Sequence, residues 1–300
     1  MRVLLTGASG FVGRIIAEQL LLNGSYVLAI GRRAPRLSDS SLDFLRADLS
    51  DRGALDFLRS TAKFDAIVHG AAAVSGSMLD TEVTLVNTFG THQLVNAAVN
   101  HSIPRFVYLS GVSVIGGPGA APITESTQIS PNSVYQASKA YGEFLVDRCF
   151  GAHGLSTTLR ITAPVGKGMP EGRFLSALVR SAKLNRPLQI YGQGSRRQNY
   201  VDVRDVSLAV SLALQSECSG VFNIGGSCSI SNVELATAVI RELQSQSEIQ
   251  YTGQQDPEDG QSWIVSIDKA KRHLGYCPLY DINASIHTVA GENKLFPASD

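Results

Sequence analysis

Tyr135 and Lys139 are the residues best placed to do acid–base chemistry. They lie four residues apart in a segment whose pattern predicts a helix continuing to about Phe150. Residues at this spacing share one face of a helix, so the phenol and the ammonium can reach a single site. Because a neighbouring cation favours the phenolate, we expect Lys139 to lower the Tyr135 pKa from its ordinary value of about 10. Tyr135 would then exchange a proton with an alcohol or carbonyl during hydride transfer, whereas a solvated helix face is the alternative interpretation.

The segment from Thr6 to Gly13 has glycines at the spacing that binds a dinucleotide pyrophosphate. It follows an apolar strand candidate directly and opens an amphipathic helix. Gly7 permits a tight turn, Gly10 lets the backbone approach the phosphates, and Gly13 lets the helix lie near the sheet. An ordinary tight turn is the alternative, but the position at the first strand-to-helix turn favours a nicotinamide nucleotide.

Short apolar runs alternate with helical patterns along the chain. Their apolar character is continuous rather than alternating, which is typical of strands buried on both faces of a parallel sheet. The candidate strands are Arg2 to Thr6, Tyr26 to Ile30, Asp43 to Arg46, Ala66 to His69, Arg105 to Ser110 and Thr157 to Ile161. The predicted fold class is therefore α/β, a Rossmann-type doubly wound parallel sheet with a smaller C-terminal substrate-binding region.

A cluster of glycines and prolines after residue 164 predicts a loop and a domain boundary. We expect residues 1–164 to form an NAD(P)-binding Rossmann domain that is completed by about 198–225. About 165–197 and 226–300 are expected to form the substrate-binding region.

The composition favours a globular protein without an extended charged surface. Of 300 residues, 44% are apolar, and 26 basic residues balance 26 acidic ones. This balance gives no electrostatic reason to expect nucleic acid or a membrane surface as a partner. No apolar run reaches the roughly eighteen residues that span a bilayer, and the first strand begins too early for a signal peptide. Four scattered cysteines, Cys149, Cys218, Cys228 and Cys277, show no metal-ligand spacing, so we expect no metal site and a reduced, cytoplasmic protein.

The order of the motifs resembles that of the extended short-chain dehydrogenases/reductases, the NAD(P)-dependent epimerase/dehydratase group that acts mainly on nucleotide sugars. The resemblance covers nearly the whole chain. Its motifs are the turn at Thr6 to Gly13, Asp48-Leu49, His69-Gly70-Ala71-Ala72, Asn87 with Gly90-Thr91, Tyr135 with Lys139, Arg160, Ala163-Pro164-Val165-Gly166, Tyr200 to Val206 with Asp205, Phe222-Asn223-Ile224-Gly225, and Leu274-Gly275-Tyr276 before Pro278.

The resemblance implies roles for many of these residues. Asp48 and Leu49 would flank the adenine, Ala71 and Ala72 would line the cofactor, and Lys139 would also bind the nicotinamide ribose. The turn after the sixth strand would close over the nicotinamide. The predicted cofactor-binding residues are Thr6, Gly7, Ser9, Gly10, Phe11, Val12, Gly13, Gly31, Arg32, Arg33, Asp48, Leu49, Gly70, Ala71, Ala72, Asn87, Leu109, Tyr135, Lys139, Ala163 and Val165.

Three of the motif residues also have ordinary structural interpretations. Asp48 could cap a turn, where aspartate is favoured. His69 lies on an apolar strand, which is more typical of a packed or backbone-bonded histidine than of a catalyst. Asn87 could simply face solvent.

The end of the second strand decides which cofactor is preferred. A carboxylate there would bind the ribose 2′-hydroxyl of NAD, whereas an arginine can pair with the 2′-phosphate of NADP. Gly31 stands where the NAD-binding members usually carry aspartate, and Arg32 and Arg33 follow it. We therefore favour NADP(H) over NAD(H), with Arg32 as the main phosphate contact and Arg33 stacking on the adenine. Two solvated arginines are the alternative.

A missing hydroxyl is the first departure from the family pattern. The family places a serine or threonine that bonds the reacting oxygen five residues before a glycine, and counting back from Gly116 gives Gly111. Ser113 or Ser110 could supply the hydroxyl if the loop is shaped differently, and either could equally be a turn residue. Loss of one oriented donor can cost roughly 10² to 10³ in rate.

The second departure concerns the predicted substrate site. Nucleotide-sugar enzymes of the family place an arginine two residues before the aromatic residue that is Tyr200 here, and this chain has Gln198. Arg197 is one residue away and Arg196 is beside it, so binding of the substrate phosphates by this loop is still expected, with a solvated basic loop as the alternative. Met78 and Arg173 complete the predicted substrate-binding residues.

These features predict an NADP(H)-dependent oxidoreductase that reduces a keto group of a nucleotide sugar, with Tyr135 as proton donor. An NAD(P)-dependent epimerase, such as a UDP-sugar 4-epimerase, is the second hypothesis, and a catalytically weak NADPH-binding regulator is the third. A dehydratase is less expected because Val112 and Ser113 replace that group's acidic pair. Family members often dimerise through two helices, here Asp80 to His101 and Ser133 to Phe150, so a homodimer is expected.

Overall fold

The computed structural model describes residues 1–59, 63–74, 77–119 and 122–291. The strands are β1 (Arg2–Thr6), β2 (Tyr26–Gly31), β3 (Leu42–Arg46), β4 (Ala66–His69), β5 (Arg105–Gly111), β6 (Leu155–Ile161), β7 (Ala163–Val165), β8 (Leu188–Ile190), β9 (Arg197–Asp202), β10 (Gly220–Ile224), β11 (Ser229–Ser231) and β12 (Ile249–Tyr251). The helices are α1 (Phe11–Leu22), α2 (Thr81–Thr84), α3 (Gly90–Asn100), α4 (Val134–Leu145), α5 (Phe174–Lys183), α6 (Val203–Gln215), α7 (Asn232–Glu242), α8 (Asp268–Leu274) and α9 (Ile282–Val289).

The main sheet has seven strands in the order β10-β6-β5-β4-β1-β2-β3. Every adjacent pair in it is parallel. The chain winds outward from β1 in both directions, so a crevice opens at the carboxyl ends of β1 and β4, where the winding reverses. The predicted doubly wound α/β fold and its six candidate strands are confirmed, with strand ends that differ by two residues at most.

Alternate residues of β1 enter two hydrophobic cores on opposite faces of this sheet. Val3 and Leu5 pack with α1 and α6, whereas Leu4 packs with residues of α3, α4 and β5. Side chains along a strand point to opposite faces, so a fully apolar strand requires helices on both sides. This explains why the sequence shows continuous rather than alternating apolar runs.

A smaller region is built on two short sheets. One has the strand order β11-β9-β7 and the other pairs β12 with β8. Their shared core includes residues of α5, α7 and α9. Within the segment predicted to complete the Rossmann domain, α6 and β10 cover and extend the main sheet, whereas β9 lies in the smaller region. The domain limits stay a prediction, and residues 292–300 of the predicted second part lie outside the described residues.

The two segments predicted to form a dimer interface contain π-helical turns. Leu85–Phe89 joins α2 to α3, and Val146–Phe150 extends α4 to the residue where the predicted helix ends. The two segments pack against each other and leave Leu85, Tyr141 and Phe144 with roughly half of their surfaces exposed. The homodimer stays a prediction. In the part of the chain that the structure describes, no helix is both long enough and apolar enough to cross a membrane.

Candidate active site

A cleft of about 190 Å³ lies at the point where the winding of the main sheet reverses. Most of the predicted cofactor-binding residues line it: Gly7, Ser9, Gly10, Gly31, Arg32, Arg33, Asp48, Leu49, Gly70, Ala71 and Ala72. Ile30, Ala47, Ala73 and Val86 also line the cleft and were not predicted. They are apolar neighbours of predicted residues, and no local motif distinguishes them from core.

The floor of the cleft depends on close backbone approach. Gly7 has φ +81°, and a Cβ there would lie 2.6 Å from the carbonyl carbon of Gly70. A Cβ on Gly13 would overlap the carbonyl oxygen of Gly7, so α1 begins as close to β1 as the chain permits. The amide end of α1 therefore faces the cleft, which fits the pyrophosphate of a dinucleotide.

A buried hydrogen-bond chain joins β1, β4 and α3 beneath this floor. The Ala71 amide donates to Thr6 Oγ1 at 3.1 Å, and Thr6 Oγ1 lies 2.6 Å from His69 Nδ1. His69 Nε2 lies 2.9 Å from Thr91 Oγ1, which donates to the carbonyl of Asn87. Each hydroxyl has one proton, so His69 must accept at Nδ1 and donate from Nε2. Burial lowers the His69 pKa to about 3, so this histidine is a neutral structural link.

Asn87 holds the loop after β4 in place. Its Nδ2 donates to the carbonyl of Ala73 and to Ser138 Oγ, and its Oδ1 accepts from the Ala73 amide. Asn87 is 1% exposed, so it does not face solvent. The sequence places Asn87 and Thr6 among the cofactor contacts, but the side chains of both position the loop that lines the cleft.

Both arginines that follow β2 line the cleft, at the end where the sequence predicts the adenosine. Arg32 Nη1 lies 2.6 Å from Glu82 Oε1 in an ion pair that is about half exposed on both sides. Asp48 accepts from the amide and hydroxyl of Ser50, and these bonds lower its pKa. Asp48 therefore both lines the cleft and caps a turn. Arg33 lines the same cleft and has no ion-pair partner among the described residues.

Lys139 is buried on α4, beside the ring of Tyr108 on β5. Its Nζ lies 4.3 Å from the centre of the Tyr108 ring, and within the described ranges it makes no hydrogen bond. Burial lowers the Lys139 pKa to about 7, while the Glu143 carboxylate opposes that change. A buried ammonium with free donors fits the ribose hydroxyls of a nicotinamide nucleotide.

Tyr135 is protonated at neutral pH in this structure. Burial raises its pKa, and the opposing charge comes from Arg173 rather than Lys139. The expectation that Lys139 would lower the Tyr135 pKa is therefore wrong for the protein without ligands, because desolvation of the phenolate outweighs the nearby cations. A protonated phenol at this position can act as an acid.

Ser110 and Ser113 differ in their freedom to meet a substrate. Ser110 Oγ is buried and donates to Glu143 Oε1 at 2.6 Å, and Arg160 bonds the same carboxylate. Ser113 makes no hydrogen bond through its hydroxyl within the described part of the chain. A Cβ on Gly111 would lie 3.3 Å from Ser113 Oγ. Ser113 thus places a hydroxyl in the space beside Gly111 that a serine there would enter, whereas the Ser110 proton is directed towards Glu143.

A second cavity of about 510 Å³ lies beside β9 in the smaller region. Gln198 and Tyr200 line it from alternate positions of β9, and Arg196, which immediately precedes the strand, continues the same alternation. Arg197 lies on the opposite face, where Nη1 pairs with Glu234 at 2.9 Å. The prediction that placed Arg197 with Gln198 is therefore corrected to Arg196, because consecutive strand residues cannot face the same cavity. Strand periodicity is the signal that would have found it.

The remaining lining of this cavity combines polar and aromatic groups. It consists of Ala163, Pro164, Met169, Arg173, Phe174, Leu175, Tyr191, Asn232, Gln255, Asp256 and Pro257. Arg173 was predicted from the sequence, and Tyr191, Asn232 and Asp256 were not. Arg196 forms an ion pair with Glu258 at 2.5 Å.

Several predicted residues lie around these cavities rather than in their walls. Met78 is in a turn with 63% of its surface exposed, and Val165 is buried in the core of the smaller region. Leu109 packs under Gly70, and Val12 packs on the core between α1 and the sheet. Phe11 lines a neighbouring groove at the start of α1.

Replacing Lys139 by methionine is expected to stabilise the protein without ligands below pH 7. The folded-state pKa of about 7 lies below the ordinary 10.5, so between these values the unfolded chain binds more protons and wild-type stability rises with pH. The advantage of Lys139→Met should therefore be largest below pH 7 and shrink towards pH 10. Urea unfolding at several pH values measures this, with the exposed Lys271→Met as control; a pH-independent difference would show that folding does not lower the Lys139 pKa.

Comparison with known proteins places the chain in a family. Residues 3–225 match the NAD dependent epimerase/dehydratase family. The chain is 26% identical over 298 residues to the dTDP-glucose 4,6-dehydratase of Streptomyces niveus, covering 93% of this chain and 88% of that protein.

Solved structures share the whole fold. The UDP-glucose 4-epimerase of Thermus thermophilus in complex with NAD matches with a TM-score of 0.84 and 25% identity, covering 97% of this chain and 98% of that one. The UDP-glucose 4-epimerase of Thermotoga maritima has a TM-score of 0.86 at 23% identity, over 96% and 97% of the two chains, which supports the fold. Because the family match spans more than half of the sequence, the chain belongs to the NAD-dependent epimerase/dehydratase family and is an enzyme of that family, as its motifs predict.

Proposed function

We propose that this enzyme is an NADP(H)-dependent reductase of a keto group in a nucleotide sugar. The observation that carries the proposal is the lining of the cofactor cleft, where Gly31, Arg32 and Arg33 stand together at the end of β2. No carboxylate at that strand end is available to bind a ribose 2′-hydroxyl, while two guanidiniums are available for a 2′-phosphate. A reductase consumes its reduced cofactor in each turnover, whereas an epimerase regenerates it. A preference for NADP(H) is therefore needed more by a reductase than by an epimerase.

The acid–base groups support reduction. A bound nicotinamide nucleotide supplies the hydride, which adds two electrons to the carbonyl carbon. Tyr135 gives its phenolic proton to the carbonyl oxygen, and its raised pKa keeps that proton in place until the substrate arrives. Ser113 would orient the same oxygen, and the charge of Arg173 would favour the phenolate that remains. The product is an alcohol, and the phenolate regains a proton from solvent.

The second cavity supports a substrate with a diphosphate. Arg173 and Arg196 both line it, and guanidiniums bind phosphate oxygens through paired donors. Tyr191 offers a face on which a nucleobase could stack, and Asp256 and Asn232 offer groups for sugar hydroxyls. We propose that the nucleotide sugar lies here, with its sugar directed past Ala163 towards Tyr135.

Epimerisation is the second candidate function, and two observations favour it. The structural relative from Thermus thermophilus is an epimerase with bound NAD. In addition, Arg32 is paired with Glu82, so a carboxylate is present near the adenosine end. The two functions differ in net chemistry, because an epimerase leaves the cofactor unchanged after each turnover whereas a reductase oxidises it.

Mixing the enzyme with NADPH and UDP- or dTDP-linked 4-keto-6-deoxyglucose should give a loss of NADPH absorbance equal to the alcohol formed. Tyr135→Phe should lower kcat/KM by roughly 10² to 10⁴, because it removes the proton donor, while NADPH binding should change little. NADH should support slower turnover at equal concentration. Tight NADPH binding without turnover of any keto sugar would favour the regulator hypothesis, and interconversion of two sugars without NADPH loss would favour the epimerase.

Ser113→Ala should lower kcat by roughly 10² to 10³ if Ser113 supplies the hydroxyl missing at Gly111. The double variant Gly111→Ser/Ser113→Ala should recover much of this loss, since the new hydroxyl enters the space that Ser113 has left. Gly111→Ser alone should not raise the rate, because the two side chains would crowd each other. An unchanged rate in Ser113→Ala, measured under saturating NADPH, would exclude this role.

Arg196→Ala should weaken binding of UDP and dTDP about tenfold or more, because it removes a charged donor to the diphosphate. Arg197→Ala is the matched control, because the Arg197 guanidinium lies on the other face of β9. The affinity of this variant for UDP and dTDP should stay within about twofold of that of the wild type. Calorimetric titration measures both, with thermal unfolding as a check on folding. A loss confined to Arg197→Ala would contradict this placement of the diphosphate.

A further inference from the structure

Two consecutive arginines beside the second cavity are each paired with one glutamate, on opposite faces of the chain. Arg196, which lines the cavity, pairs through Nη1 with Glu258 at 2.5 Å. Arg197 pairs through Nη1 with Glu234 at 2.9 Å, and its Nη2 also donates to the carbonyl of Ser229 at 2.8 Å. The guanidinium of Arg197 therefore has two partners, whereas that of Arg196 has one.

The Arg196 guanidinium keeps donors for a ligand. Within the part of the chain that the structure describes, no group other than the Glu258 carboxylate pairs with it. A guanidinium presents its N–H donors in a planar fork, so one edge can hold a carboxylate while another edge binds phosphate oxygens. Arg196 can therefore bind Glu258 and a phosphate at the same time.

Glu258 lies on a turn that is fastened to the segment before β9. Its amide donates to Asp256 Oδ1 at 2.9 Å. The next residue, Asp259, accepts from the Ser195 amide at 2.8 Å and from Ser195 Oγ at 2.6 Å. Because these bonds fix the backbone beside both members of the ion pair, Glu258 presents its carboxylate to Arg196 from a defined position.

The Glu258 carboxylate could act on a bound phosphate in two opposite ways. It could repel the phosphate and compete for Arg196, or it could hold the guanidinium so that the side chain loses little freedom on binding. Glu258 is not among the residues that line the cavity, and 43% of its side chain is exposed, so solvent screens the repulsion. Prior ordering of a long side chain is worth about threefold to tenfold in affinity, so orientation is the larger effect.

We propose that Glu258 is a positioning residue for the substrate diphosphate: it holds one edge of the Arg196 guanidinium and leaves the remaining donors to the phosphate oxygens. The assignment rests on the proposed function, which places the diphosphate in this cavity. It adds that a residue outside the cavity wall sets how firmly the nucleotide is bound.

Titration of the full chain with UDP and with uridine tests the assignment, because the two probes differ by the diphosphate alone. Calorimetry measures UDP binding, and displacement of UDP measures uridine binding. Glu258→Ala should weaken UDP binding about threefold to tenfold and leave uridine binding within about twofold. Glu258→Gln keeps an oxygen acceptor and should recover part of this loss. In an Arg196→Ala background, Glu258→Ala should change UDP affinity less than about twofold, since the residue that it positions is gone.

Glu234→Ala is the matched control. Glu234 forms an ion pair of the same kind with Arg197, on the other face, and it also belongs to the capping box of α7. Glu234→Ala should lower the thermal unfolding temperature through loss of the cap, yet leave UDP affinity within about twofold of that of the wild type. An equal loss of UDP affinity in Glu234→Ala and Glu258→Ala would show a general loosening of the region and would overturn the assignment.

The outcomes separate this assignment from the proposed function. If UDP binds no more tightly than uridine, or if Arg196→Ala leaves UDP affinity unchanged, the placement of the diphosphate fails and the assignment fails with it. If Arg196→Ala weakens UDP binding while Glu258→Ala strengthens it or leaves it unchanged, the placement stands and the positioning role of Glu258 is excluded.

Discussion

The site depends on how closely the start of α1 approaches the ends of β1 and β4. A Cβ on Gly7 or Gly13 would meet backbone atoms, and a Cβ on Gly70 would meet Leu109 of the core. The chain of hydrogen bonds through Thr6 and His69 then fixes the β4 loop to that turn. Because this contact sets the width of the crevice, it fixes the position of the amides that face an anion. Arg32 and Arg33 line the crevice after β2, and Lys139 is buried beside the Tyr108 ring.

Burial controls the acid–base groups of α4. Lys139 keeps an ammonium in the core at a cost that the Tyr108 ring and the Glu143 carboxylate only partly offset. Tyr135 responds to the same low polarity by holding its proton. The site is therefore set to donate a proton before it accepts one, and a bound polar cofactor would supply oxygen atoms to which Lys139 can donate hydrogen bonds. The buried charge of Lys139 lowers the stability of the folded protein, although the same charge is expected to serve cofactor binding.

The sequence predicted the fold class, the main strands and most of the cofactor cleft, because these follow from apolar runs and from glycines at fixed spacing. It was less accurate where a role depends on the direction of a side chain. Arg197 was preferred to Arg196 because proximity along the chain was used without the alternation of β9. Similarly, Asn87 and Thr6 were read as ligand contacts, although their partners Ser138 and His69 lie 51 and 63 residues away in sequence.

The central claim is that Tyr135 and a reduced nicotinamide act together in a net reduction. It is tested most directly with NADPH that carries deuterium at both C4 positions and a nucleotide 4-keto sugar, followed by mass spectrometry and NMR of the sugar. We expect one deuterium on the new carbinol carbon of each product molecule and one equivalent of NADP⁺ released. A product without deuterium, or two epimers formed with no NADP⁺ released, would contradict it.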